Sequence, residues 1–191
     1  VVDLEHAELP HEIETDDGWV EVDTCFRTWI RFGRAVEQGA WWPGIFVGHE
    51  PRGWHDGALE FYRSPVECPH GSRGGGSART LDLSVDGDYV VGSFQAAYGV
   101  DLTDPSCDMH WHRFLALLRS LPQDSMVSRI ASWRAWTPDG AKRKPEQVQR
   151  ELRSAWSLPG PGAAGGTVVS AQMEIFGGVV SAFAREVGTD G

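Results

Sequence analysis

The residues with the most chemical potential in this chain stand close together in CDMHWH, where Cys107, His110 and His112 offer the donor types a zinc ion takes. Their spacing serves a metal poorly. On one helix His110 and His112 would project about 200° apart, and no fourth ligand follows at a matching interval. Capping and packing are therefore the favoured roles, and neither metal nor cofactor is expected. The glycine-bearing stretches GDYVVGSFQ and GSRGGGS lack the lysine and the preceding strand of a phosphate-cradling loop. The acidic pairs Asp16-Asp17 and Asp86/Asp88 sit where short carboxylates bond backbone amides in turns and caps. No Ser or Cys occupies a nucleophile elbow. The expectation is a protein without a catalytic site. One further cluster, Trp41, Trp42 and Trp54 with His49 and His55, has rings that stack on sugars when exposed. The favoured alternative is that they close one end of a helical core beneath a loop.

The chain has 191 residues, of which 41% are hydrophobic, and its nine Trp and eight Phe carry apolar area that must be buried or bound. That length supports one domain with appendages. A formal charge of −10 repels phosphate backbones and anionic lipid heads, so nucleic acid and membrane are not expected partners. Three widely spaced cysteines, Cys25, Cys68 and Cys107, form no disulfide framework and suit a reducing cytoplasm. The opening VVDLEHAELP has neither the basic start nor the apolar core of a secretory signal.

The elements that must position these residues are mostly helical. Residues 9–22 predict a β-hairpin turning at Asp17-Gly18. Asp23 or Thr24 would cap a helix to about Gln38, with Phe26, Trp29, Ile30 and Gly33 on one face and Phe32 and Val36 beside it. Residues 40–57 are broken by proline and glycine and read as an irregular, Trp-rich insertion. A short helix over 58–63 follows, and 69–79 has linker composition. Asp86 would cap a helix to Tyr98 stopped by Gly99. Residues 109–121 form a stronger helix, with Trp111, Phe114, Leu115 and Leu118 at buried-stripe spacing. Residues 126–136 and 146–156 make two more, the last placing Val148, Leu152, Ala155 and Trp156 on one side. The fold expected is mainly α: a compact helical domain over 1–159 with a small N-terminal hairpin. Residues 160–191 form a second linker and a C-terminal helical tail. In that tail Val169, Met173, Phe176, Val180, Phe183 and Val187 recur at steps of four and three, a seam open to a partner helix, a second copy or this chain's own core.

The stretch from Leu81 to Leu121 resembles the centre of the bacteriophage gene-product-fifteen family of siphophages and prophages of Gram-positive bacteria. Its first motif, F-x-x-x-Y-G-[IV]-D-L, is met by Phe94, Tyr98, Gly99, Val100, Asp101 and Leu102. Its second, H-W-x-x-F-x-A-L-L-x-x-L-P, is met by His110, Trp111, Phe114, Ala116, Leu117, Leu118, Leu121 and Pro122. The hairpin leading into TCFRTWIRF, the ALEFY segment and ELRSAWSLP follow the family order, so the likeness extends in pieces over 9–159. The insertion at 40–57, Gly87 and Gly92, His112 in place of a second aromatic, and the tail depart from it.

In such phages the gene lies between those of the major tail protein and the tape-measure protein. The resemblance implies a cytoplasmic tail assembly chaperone of the infected or lysogenic host that covers the tape-measure protein and helps recruit tail-tube subunits. A structural component of the tail or head-tail connector is the alternative, and a Trp-based carbohydrate-binding module a third. Partner contacts are expected at Trp29, Phe32, Trp133 and Trp136, large apolar side chains on helices whose stripes look wider than one core face requires.

Overall fold

The computed structural model describes residues 8–63, 80–136 and 144–158. The linker at 69–79 and the tail at 160–191 lie outside them. The described chain is mainly α, with six helices and one two-stranded sheet. Strands β1 (Glu12–Thr15) and β2 (Gly18–Glu21) pair antiparallel, Ile13 opposite Val20 and Thr15 opposite Gly18. The turn therefore lies at Asp16-Asp17, one residue before the expected Asp17-Gly18. Gly18 still supplies a φ of +103°, but as the first residue of β2. The Thr15 hydroxyl fixes this register by donating to the Gly18 carbonyl (2.7 Å) and accepting from the Asp17 amide (3.1 Å).

Helix α1 (Phe26–Glu37) has Cys25 at its cap position, rather than the expected Asp23 or Thr24. The Asp23 carboxylate accepts from the Cys25 amide (2.8 Å) and the Thr28 hydroxyl (2.6 Å), holding the chain extended until Cys25. The insertion contains one 3-10 turn, Pro43–Ile45, and helix α2 (His55–Arg63) opens three residues earlier than its sequence pattern suggests. Helix α1 crosses α2 at Gly33, where a Cβ would overlap the Tyr62 hydroxyl, so the smallest residue permits the approach. Helix α3 (Gly87–Tyr98) ends on Gly99 at φ +67°, the left-handed cap the sequence pattern anticipates. Then come α4 (Trp111–Arg119), α5 (Met126–Ala135), capped by Ser125, and α6 (Lys144–Ala155).

The core is a stack of aromatic rings running between helices. Tyr62 lies on Trp111 (5.4 Å, 3°), Trp111 on Phe114 (5.7 Å), and Phe114 between Phe26 (5.1 Å) and Phe94 (5.3 Å). Trp29 stacks on Phe61 at 4.4 Å. Offset ring pairs add about 0.5–1.5 kcal/mol each beyond their buried area. The buried indole N–H groups are all satisfied: Trp29 donates to the Asp23 carbonyl (2.7 Å), Trp54 to the Glu50 carboxylate (2.8 Å) and Trp111 to the Tyr62 carbonyl (2.9 Å).

Two of the four expected contact positions belong to this core. Trp29 and Phe32 have no exposed surface and are not available to a partner. Helix α1 is covered by α4, by α2 and by the insertion, which is why its apolar stripe is wider than one face requires.

Candidate interaction surface

The motif residues Phe94 to Pro122 build the core and its corners rather than a site. Tyr98 donates its hydroxyl to the Leu117 carbonyl (2.8 Å), joining α3 to α4, and burial pushes that phenol up from its ordinary pKa. Asp101 accepts from the Thr103 hydroxyl (2.6 Å) and amide (2.8 Å), bonds that hold its carboxyl below the usual range. The loop so formed presents three carbonyls to Arg27, whose guanidinium donates to Leu102 (3.0 Å), Asp104 (2.6 Å) and Cys107 (2.8 Å). Leu102, Trp111, Phe114 and Leu118 are buried.

His110 stands just before α4 as its N-cap, with Nδ1 accepting from the His112 amide (3.0 Å). Nε2 must then carry the proton, which it donates to the Pro10 carbonyl (2.8 Å). Burial lowers the pKa of His110. His112 is buried against Phe61, its Nε2 at 2.8 Å from the Phe61 carbonyl, and burial lowers its pKa from 6.5 to about 4. Both nitrogens of His110 are thus committed to the backbone. Among the described residues no group of three or more His, Cys, Asp or Glu is placed to hold a metal ion.

The tryptophans of the insertion do not share one exposed platform. Trp54 is buried, Trp42 is half-buried against the core, and Trp41 meets Trp54 edge-on at 5.7 Å. They close the end of the α1–α2 pair beneath the loop, and Trp41 alone keeps a substantial exposed area.

A different surface forms where α3, α5 and α6 meet. Its organiser is Arg134, a buried side chain on α5. Its guanidinium grips Asp86 with two nitrogens (2.5 and 2.9 Å) and also donates to the carbonyls of Thr80 (3.1 Å) and Trp156 (2.6 Å). Asp86 thus precedes α3 as expected, yet its carboxylate serves the Asp82 amide (2.9 Å) and Arg134 rather than the first turn of the helix. Nothing in the local sequence signals this pair, whose members stand 48 residues apart.

With its carbonyl held there, Trp156 lays its ring against Tyr89 of α3 (5.4 Å) and Trp133 of α5 (5.6 Å). The Arg129 guanidinium lies 5.2 Å from the Trp133 ring. The apolar side of α6 is largely open. Val148 is 54% exposed, Ala155 is exposed, and Leu152 and Trp156 are half-buried. Tyr89 is 36% and Val85 49% exposed, while Trp133 and Trp136 are half-buried. Of the four expected contact residues, these two tryptophans keep surface on the outside of the fold.

The family model described as Bacteriophage Gp15 protein matches residues 62–158, just over half of the chain. The match spans the aromatic stack from Tyr62 and the whole α3–α5–α6 surface; the likeness drawn for residues 9–61 falls outside it. No curated protein and no solved structure matches the chain.

Proposed function

This chain belongs to the Bacteriophage Gp15 protein family, and from that premise we propose that it is a non-enzymatic tail assembly chaperone that covers apolar helical segments of the tape-measure protein. The observation that carries the reading is the open apolar surface on α3, α5 and α6, within the stretch that defines the family. A tape-measure protein is a long helical polypeptide whose apolar stripes face water until the tail tube encloses them. Tyr89, Trp133, Val148 and Trp156 present the mixed aromatic and aliphatic surface on which i, i+3, i+4, i+7 anchors of such a helix pack. The −10 charge of the chain keeps a coated complex soluble. The major tail protein is a second partner in this reading, recruited to the coated complex.

Co-expression with the neighbouring tape-measure protein tests it. The wild-type chain should co-purify with that protein, and the double substitution Trp133→Ala/Trp136→Ala should reduce recovery about tenfold or more, the loss of some 1.4 kcal/mol, with an unchanged far-ultraviolet dichroism spectrum. Undiminished recovery would remove these residues from the contact. Mass spectrometry of purified particles separates a chaperone, which is absent from them, from a virion component, which is retained.

A further inference from the structure

We propose that in the free protein residues 167–187 of this same chain cover the α3–α5–α6 surface. The face itself is continuous. Trp156 touches both Tyr89 and Trp133, and Leu152 and Val148 extend the same side of α6 one and two turns before Trp156. The chain leaves α6 directly from this face, because Arg134 holds the Trp156 carbonyl beneath it (2.6 Å). Beyond Leu158 the sequence continues with the eight-residue run PGPGAAGG and then the seam of Val169, Met173, Phe176, Val180, Phe183 and Val187. Only Glu174, Arg185 and Glu186 are charged between 167 and 187, so the segment carries little charge to be desolvated.

Geometry and concentration both favour this occupant over a second copy. Eight residues reach at most about 28 Å, whereas the twelve-residue α6 is about 18 Å long. The segment can therefore reach any part of the face. A linker this short gives it an effective concentration in the millimolar range, and a second copy binding the same patch would have to exceed that. The two glycines Gly177 and Gly178 each lower helix stability by about 1 kcal/mol relative to alanine. They keep the covering segment weakly held and displaceable by a stronger apolar helix.

Amide hydrogen exchange on the full-length chain alone tests this, so the outcome stands apart from any reading of the tape-measure partner. In the variant Val169→Asp/Phe176→Asp/Phe183→Asp, amides of residues 147–156 should exchange about tenfold faster than in the wild type. Amides of α1 and α4 should be unaffected, and the difference should not depend on protein concentration. Equal exchange in the two proteins overturns the proposal, as does α6 protection that rises with concentration, which would make a second copy the occupant. An independent measurement uses the otherwise wild-type chain with a photoreactive benzophenone amino acid at Val148. Cross-links should form within one chain to residues 167–187; cross-links elsewhere, or only between chains, overturn it.

Discussion

Helices α4 and α6 carry the same kind of apolar pattern and meet different fates. In α4 the stripe of Trp111, Phe114, Leu115 and Leu118 is buried on every member, closed by rings from α1, α2 and α3. In α6 the corresponding stripe leaves Val148 open, and the helix is anchored by one guanidinium and two ring contacts. Periodicity thus states which side of a helix is apolar. Whether that side is covered depends on what the rest of the chain brings to it, and only for α4 do the described residues bring a full complement.

The contrast can be broken most forcefully by putting the same charge into both stripes. Leu118→Asp places a carboxylate in the closed core with no partner and should abolish the cooperative thermal transition, since an uncompensated buried charge costs several kcal/mol against a total stability of about 5–15 kcal/mol. Next in size is Arg134→Met, which leaves the Asp86 carboxylate without its cation and the Thr80 and Trp156 carbonyls without their donor. It should cost about 3–5 kcal/mol in denaturant unfolding. Replacing both members, Asp86→Leu with Arg134→Met, should recover part of that loss. If the single and double variants unfold alike, the ion pair is not what secures this corner.

A smaller effect is set by pH. His112 binds its proton less readily folded (about 4) than unfolded (6.5), so between these values the unfolded chain holds more protons than the native one. The contribution of His112 to stability is accordingly complete above about pH 6.5 and is lost as pH falls toward 4. His112→Phe should flatten that decline in urea midpoints measured across the window, and an unchanged slope would place its origin elsewhere. Smallest of all, Val148→Asp on α6 should alter global stability by no more than about 0.5 kcal/mol. A loss resembling that of Leu118→Asp would show that the two helices are covered alike.

Local chemistry makes much of this fold legible. The hairpin, the stop at Gly99 and the stripe of α4 all follow from residues within one or two turns of each other. The hairpin turn differs from expectation by a single residue because the Thr15 hydroxyl, not the Asp-Gly dipeptide, sets the register. The features that local patterns miss are decided across long separations. Trp29 and Phe32 read as surplus surface until α2 and the insertion close over α1. The apolar side of α6 has the periodicity of a buried stripe, yet α3 and α5 cover only its Trp156 end and leave Val148 open. Arg134, which fixes where the chain leaves α6, carries no mark in its neighbours of the partner it meets 48 residues away.

The placement of α4 also governs how this protein is made. Trp111 donates to the Tyr62 carbonyl 49 residues behind it, and His112 meets that of Phe61, 51 residues behind. As the polypeptide emerges from the ribosome, Phe61 and Tyr62 are synthesised well before the α4 rings that shelter them. At translation speeds of about 5–20 residues per second this interval is roughly 3–10 s. Through those seconds the nascent chain offers an uncovered aromatic surface of its own, so a protein proposed to shield another's apolar stripes begins its existence in need of the same shelter.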